Sequence, residues 1–365
     1  SKAVQQMDVR TEQVLFLLRQ SRLLLHGRHQ RTLASFSTQY VNFYNSVWLI
    51  SNDIIVGAAF GAFLCENNIA LAGVLSYAVE RILIKWIQHV LIWLDSWPAG
   101  LKLNTELSRF YSHTFIDLVE IWGRALLHES LSYMPSMLYI IGILSCLGMT
   151  MAISIFSDML CLFTAHIYAC YLISTTVYHQ QLKMAGSLWN LFRGKRYNVL
   201  RNRTDTWDYD VDQLLFGTIL FTLVAFLFPT VLAYYALFAL MRLFIILLYA
   251  SMETLLAFMN HFPLFALVLR AKDPWRLPGG IYFSNYSTSA TGSCLIAKNQ
   301  PVPLSSIFFQ YIRLWSRLWS HYHPTQLLHH VLSGGYLEVI PPYFICYDIA
   351  EPRRHETTRG IGKRP

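Results

Sequence analysis

The sequence predicts an all-α polytopic membrane protein with about six transmembrane helices, amphipathic interfacial helices and a loop-rich C-terminal region. Of its 365 residues, 54% are hydrophobic and only 14% charged, where a soluble domain is about 25% charged. Its mean hydropathy is +0.36. Charge-poor windows recur at the length of roughly 20 residues that a helix needs to cross a hydrocarbon core of about 30 Å. An aromatic content of 15% with so little charge demands burial, which excludes a disordered chain, a collagen and a nucleic-acid-binding tail.

Residues 1–42 read as an amphipathic N-terminal helix. Val4, Met7, Val14, Leu15, Leu18, Leu23 and Leu25 alternate there with Arg10, Arg19, Arg22 and Arg28, a pattern that suits a membrane surface or a partner protein. Residues 43–94 form a transmembrane hairpin of spans 46–65 and 69–94. In the first, Gly57 and Gly61 set small residues four apart, which lets another helix approach closely. The second carries Glu80, Arg81 and Lys85, costly at mid-bilayer, and the Glu80–Lys85 separation suits α-helical pairing poorly.

Residues 95–132 mix Lys102, Arg109 and Arg124 with Asp95, Glu106, Asp117, Glu120 and Glu129, and read as a cytoplasmic, partly helical link. Residues 133–182 form a second hairpin. Asp158 is the only formal charge from Leu131 to Leu182 and is expected at a tight turn between spans 136–157 and 159–179. A basic cytoplasmic loop follows over 183–212, then a third hairpin over 213–260 with Pro229 inside it. Residues 261–365 form an interfacial and cytoplasmic region broken by proline and glycine. Within it a helix near 304–322 sets Tyr311, Leu314, Trp315, Leu318 and Trp319 beside Arg313 and Arg317, suiting a headgroup-level belt.

The formal charge of +8 is unevenly placed: six Lys/Arg lie between Ser1 and Arg31 and six between Lys183 and Arg203. The positive-inside tendency puts both clusters in the cytoplasm, so an even number of spans separates them and both termini are cytoplasmic. The sequons at Asn202 and Asn285 are then never glycosylated. Because the chain opens at Ser1 rather than methionine, it reads as a piece of something longer or processed, and the lack of a signal peptide carries no weight.

Few groups remain from which to build a reaction site. Asp208 and Asp210, followed by Asp212, form a DxD pattern that could hold a divalent metal and a nucleotide diphosphate. No strand–helix alternation surrounds them, and acids at a helix N-terminus are favoured by its dipole, which is the simpler reading. His321, His323, His329 and His330 could converge on a metal, but Pro324 interrupts them. Asp158, His166 and Glu253 could line a polar intramembrane cavity of an enzyme or lipid carrier. The six cysteines form no CxxC pair, and no G-x-S-x-G, P-loop or G-x-G-x-x-G motif occurs. No catalytic residue, metal or cofactor is therefore assigned. Arg193, Lys195, Arg196, Arg201 and Arg203 are candidates for lipid headgroups or a partner, each worth about 1 kcal/mol beside an anionic surface.

Two stretches carry a family resemblance. One is Leu191-Phe192-Arg193-Gly194-Lys195-Arg196-Tyr197-Asn198-Val199-Leu200-Arg201 with Asp208 to Thr218. The other is Asn260-His261-Phe262-Pro263-Leu264-Phe265-Ala266-Leu267 with Arg270 and Asp273 to Gly280. Together, near 185–283, they resemble the Q-subunit family of phosphatidylinositol N-acetylglucosaminyltransferase. That resemblance implies a non-catalytic scaffold subunit of an endoplasmic-reticulum membrane complex, which transfers N-acetylglucosamine from UDP-GlcNAc to phosphatidylinositol in the first step of GPI-anchor synthesis. It implies as partners the catalytic glycosyltransferase of that complex, its A component, and the further components C, H, P and Y. Membrane lipids including phosphatidylinositol join these, and no nucleic acid does. Phe262, Pro263, Leu264, Phe265, Trp275 and Arg276 are the candidate partner interface.

Overall fold

A computed structural model describes residues 1–26, 33–96, 100, 103–127, 129, 132–198, 200–274, 278–288, 292–321, 323, 325, 329–330 and 333–336. The helices are α1 Lys2–His26, α2 Leu33–Glu66, α3 Asn68–Val79, α4 Ile87–Asp95, α5 Thr105–Trp122, α6 Met134–Leu144, α7 Met149–Phe163, α8 Ala165–Phe192, α9 Val211–His261, α10 Leu264–Lys272, α11 Leu304–Ile307 and α12 Phe309–His321. A π-helical segment, Glu80–Trp86, joins α3 to α4. Strands β1 Lys195–Asn198 and β2 Arg203–Thr206 pair antiparallel, as do β3 Pro278–Thr288 and β4 Gly292–Pro301.

The chain is thus mostly helical, but the six spans expected are not what the described residues form. Two helical stretches are long and apolar enough to cross a membrane, Tyr40–Glu66 and Val211–His261. Helices α7 and α8, bent by 50° at Thr164, would make a third if they act as one span. The third hairpin expected over 213–260 is instead one uninterrupted helix of 51 residues, α9. Pro229 removes one N–H without ending it, and Gln181 Nε2 donates to the nearby Val224 carbonyl at 3.1 Å. Asp158 lies inside α7 and not at a turn; the breaks fall at Gly148, whose φ of 144° admits only glycine readily, and at Thr164. The fold is also not wholly α: glycine and proline bracket the consecutive Ile281, Tyr282 and Phe283 of β3 and Ile296 of β4 in an antiparallel ribbon, in a region expected to be rich in loops.

The Glu80–Lys85 pair is a further correction. At 100° per residue, positions five apart miss each other, but the π segment winds more widely and stacks them, with Nζ 2.7 Å from Oε1. The main core joins α4, α5, α8 and α9 through Leu91, Phe115, Tyr171, Tyr178, Tyr235 and Phe238. Helix α5, within the stretch expected as a cytoplasmic, partly helical link, belongs to this core: the Phe115 and Phe238 rings lie 4.6 Å apart, and Tyr234 donates to the Ser108 carbonyl. A second cluster joins α2, α3, α6 and α7. Here the small-residue pattern does what its spacing predicts: a Cβ on Gly57 would collide with the Ser145 carbonyl oxygen, and Ser145 Oγ donates to the Gly57 carbonyl at 2.7 Å.

Candidate functional site

The three acids embedded in the long apolar helices are Asp53 in α2, Asp158 in α7 and Glu253 in α9. An unpaired carboxylate in such surroundings is expensive, and α1 supplies all three with partners. Arg10 forms an ion pair with Asp53, which is 1% exposed. Asp53 also accepts from the Thr150 N–H at 3.1 Å and the Thr150 hydroxyl at 2.7 Å, and Arg10 Nη2 donates to Thr150 Oγ1 at 2.9 Å. Burial lowers the Arg10 guanidinium to about 10, which leaves it charged at neutral pH. Gly148 makes the approach possible, since a Cβ there would collide with Asp53 Oδ2.

Lys2 Nζ reaches Glu253 Oε1 at 2.5 Å and lies 5.0 Å from the Tyr249 ring centre, a cation–π distance. Gln6 and Asn260 exchange amide hydrogen bonds, both 3.0 Å. Asp158 accepts from the backbone N–H groups of Lys2 and Ala3 at 2.8 and 3.0 Å. Helix α1 is therefore a latch, and it is inverted relative to a surface helix: Lys2, Gln6 and Arg10 face inward, while Val4, Met7, Val14, Leu15 and Leu18 face out. That outward apolar face is what lipid surroundings would select. The i, i+4, i+8 spacing of Lys2, Gln6 and Arg10 is the signal available in the sequence. Thr150 and Asn260 carry none.

The cavity that Asp158, His166 and Glu253 could line does not form. Asp158 and Glu253 converge on Lys2, whereas His166 Nε2 lies 3.1 Å from the Leu83 carbonyl and its ring stacks on Trp122.

The basic stretch is organised as the β1–β2 hairpin. Helix α8 ends at Gly194 with φ 60°, and the Trp207 N–H returns to the Gly194 carbonyl at 2.9 Å. Asn198 Oδ1 accepts from the Leu200 and Arg201 N–H groups, which shapes the turn, and Asn202 takes φ 48°. Arg193, Arg196, Arg201 and Arg203 are exposed and Lys195 half-buried. Arg203 is engaged with Asp205 at 2.8 Å, and Arg196 sits over the Trp207 ring at 5.1 Å. Leu200, at the tip, is 97% exposed, and Tyr197 and Trp207 are also open to the surroundings. Cations around exposed aromatic and aliphatic side chains are the chemistry of a headgroup interface.

Asp208, Asp210 and Asp212 are exposed, with Asp210 at the N-cap of α9, the position the simpler reading assigns them. His323 lies 2.7 Å from the Thr325 hydroxyl, and among the described residues no three His, Cys, Asp or Glu side chains converge as a metal site. At the other end of α9, Phe262 packs on Phe258 at 4.8 Å and Phe265 stacks on Tyr44 of α2 at 5.6 Å. Phe262, Pro263, Leu264 and Phe265 are half-buried, so this junction ties α2 to α10 within the chain. Trp275 and Arg276 lie outside the described residues. Helix α12 leaves Phe309, Ile312, Trp315 and Trp319 exposed.

Residues 4–279 match the family model described as N-acetylglucosaminyl transferase component (Gpi1). The N-acetylglucosaminyl-phosphatidylinositol biosynthetic protein gpi1 of Schizosaccharomyces pombe is 37% identical over 362 residues, 96% of this chain and 55% of that protein. The phosphatidylinositol N-acetylglucosaminyltransferase subunit GPI1 of Saccharomyces cerevisiae is 34% identical over 342 residues, 92% of this chain and 56% of that one. Subunit Q of the same transferase from Mus musculus is 37% identical over 268 residues, 71% of this chain and 46% of that protein. The chain thus spans about half the length of the curated relatives it matches. No solved structure matches it.

Proposed function

The chain belongs to the Gpi1 family, and from that premise we propose that it is a non-catalytic scaffold subunit of the endoplasmic-reticulum complex that transfers N-acetylglucosamine from UDP-GlcNAc to phosphatidylinositol. The observation that carries the scaffold reading is the commitment of the embedded acids: Asp53, Asp158 and Glu253 are each engaged by α1 and so serve to hold helices together. What the protein offers outward is binding surface. The basic hairpin of Arg193, Lys195, Arg196, Arg201 and Arg203 lies on the cytoplasmic face, where anionic lipid and the donor meet. The part of the α9–α10 junction that stays half-exposed, at Phe262, Pro263, Leu264 and Phe265, with Trp275 and Arg276 following in the sequence, is the seat for the catalytic A component and for C, H, P and Y.

Pull-down of the assembled complex tests this. Changing Leu264 to aspartate should lose the partners while the protein still extracts as a monodisperse species. Full recovery of every partner would remove the interface from the account.

A further inference from the structure

Helix α12, Phe309–His321, has an apolar side that the rest of the described chain leaves uncovered. Ile312, Trp315 and Trp319 are 57%, 66% and 56% exposed, large side chains that a protein surrounded by water seldom leaves together on one side of a helix. At 100° per residue the positions of Tyr311, Ile312, Leu314, Trp315, Leu318 and Trp319 share an arc of about 160°. The opposite arc holds Gln310, Arg313, Ser316, Arg317 and Ser320, and no acid. Thirteen residues rise about 20 Å, too little to cross a hydrocarbon core of about 30 Å. An isolated helix of that length is marginal in water and persists when its apolar side is covered. The arc is wider than the seam one partner helix covers, and suits a flat apolar medium.

Charge indicates what kind of surface bounds that medium. From Pro274 to Leu337 the sequence has no Asp or Glu, so all 21 acids lie elsewhere, while Arg276, Lys298, Arg313 and Arg317 fall within this stretch. Arg313 extends over the Phe309 ring at 4.5 Å, on the polar side of the helix. Exposed tryptophans on one side and arginine without acids on the other are the chemistry of a helix lying in a headgroup layer, with the rings at the acyl boundary and the cations among phosphates. The chain also keeps α12 beside the helix assembly, because shortly after it a clasp returns to α8. Gly334, with φ 68°, sits so close to the Tyr178 ring that a Cβ would lie 3.1 Å from it, and Tyr171 donates to the Gly335 carbonyl at 3.3 Å. Helix α8 belongs to the bent α7–α8 pair that is apolar enough for a membrane crossing.

We propose that α12 lies in the plane of a bilayer surface rich in anionic phospholipid, with Ile312, Trp315 and Trp319 at the acyl boundary and its cationic side among the phosphates. The proposal rests on the long apolar helices crossing a membrane and not on the scaffold role.

Hydrogen–deuterium exchange of the full chain in nanodiscs, without its partner proteins, tests it. One set of discs holds phosphatidylcholine alone, the other phosphatidylcholine and phosphatidylserine in equal parts. The α12 amides should exchange more slowly in the anionic discs. Arg313→Gln should cut that difference roughly fivefold, the equivalent of about 1 kcal/mol for one cation at an anionic surface. Trp315→Ser, at an exposed position, should speed exchange of α12 in both discs while the α8 and α9 amides stay protected. Equal exchange of α12 in the two discs would overturn the proposal. So would protection that appears only when the rest of the complex is added, since the occupant would then be a protein. Free exchange along α9 in both discs would overturn the crossing on which the proposal rests, and the proposal with it.

Discussion

Replacing Arg10 with methionine should be among the most damaging single changes in the protein, although α1 sits at the edge of the helix assembly. Methionine keeps much of the stem but leaves Asp53 as a carboxylate 1% exposed, satisfied only by Thr150. Removing one member of a buried ion pair typically costs about 3–5 kcal/mol, because the survivor stays desolvated and uncompensated. Asp53→Asn should cost less than Arg10→Met, since Arg10 is nearer the surface and retains Thr150 and Gln13 as acceptors. The double variant should recover most of the loss: the amide carbonyl introduced at position 53 could still accept from Thr150, leaving a deficit on the order of one hydrogen bond, about 1 kcal/mol. The coupling energy is then at least ~2 kcal/mol, measured as unfolding in micelles followed by tryptophan fluorescence. Strict additivity of the two single changes would refute the latch, because it would mean that Arg10 and Asp53 do not meet.

Gly57→Ala should push α2 away from the 145–149 segment that joins α6 to α7 and destabilise by about 1–3 kcal/mol, because the new methyl collides with backbone and cannot be relieved by a side-chain turn; helical propensity would push the other way. Gln6→Ala should cost about 1–3 kcal/mol in the same unfolding assay, leaving the Asn260 amide buried without its partner. Around the hairpin, Arg196→Gln and Arg201→Gln should each reduce enrichment of phosphatidylinositol in mixed nanodiscs, by about 1 kcal/mol in partition, whereas Arg203→Gln should do less because Asp205 already engages it. Asn202, exposed in the turn, should show no glycosidase-sensitive mass; a shift would reverse the orientation of the hairpin.

Chemical character is more readily legible in this sequence than geometry. The apolar windows, Gly57 and Gly61, the basic stretch and the helix starting after Asp210 can all be read, because each rests on local pattern or composition. What escapes depends on long-range pairing. A turn is the cheapest place for a charge such as Asp158 in an apolar window, and only the arrival of α1 from more than a hundred residues away makes it acceptable inside a helix. The alternation of apolar and basic residues in α1 suggests a membrane surface, yet the side that packs inward is the polar one. The spacing of Glu80 and Lys85 argues against their pairing until a π segment changes the period on which spacing arguments rest. Helix α9 is longer than a single crossing needs, which suggests two spans, but length alone does not mark a turn.

The scaffold role proposed for this Gpi1-family chain leaves the chemistry of transfer to another subunit. It is tested most directly by the rate of N-acetylglucosamine transfer from UDP-GlcNAc to phosphatidylinositol, measured per assembled complex, when Asp208 and Asp210 are both changed to alanine. The expected rate is close to that of the unaltered complex. An abolished rate in a complex that still assembles fully would contradict it.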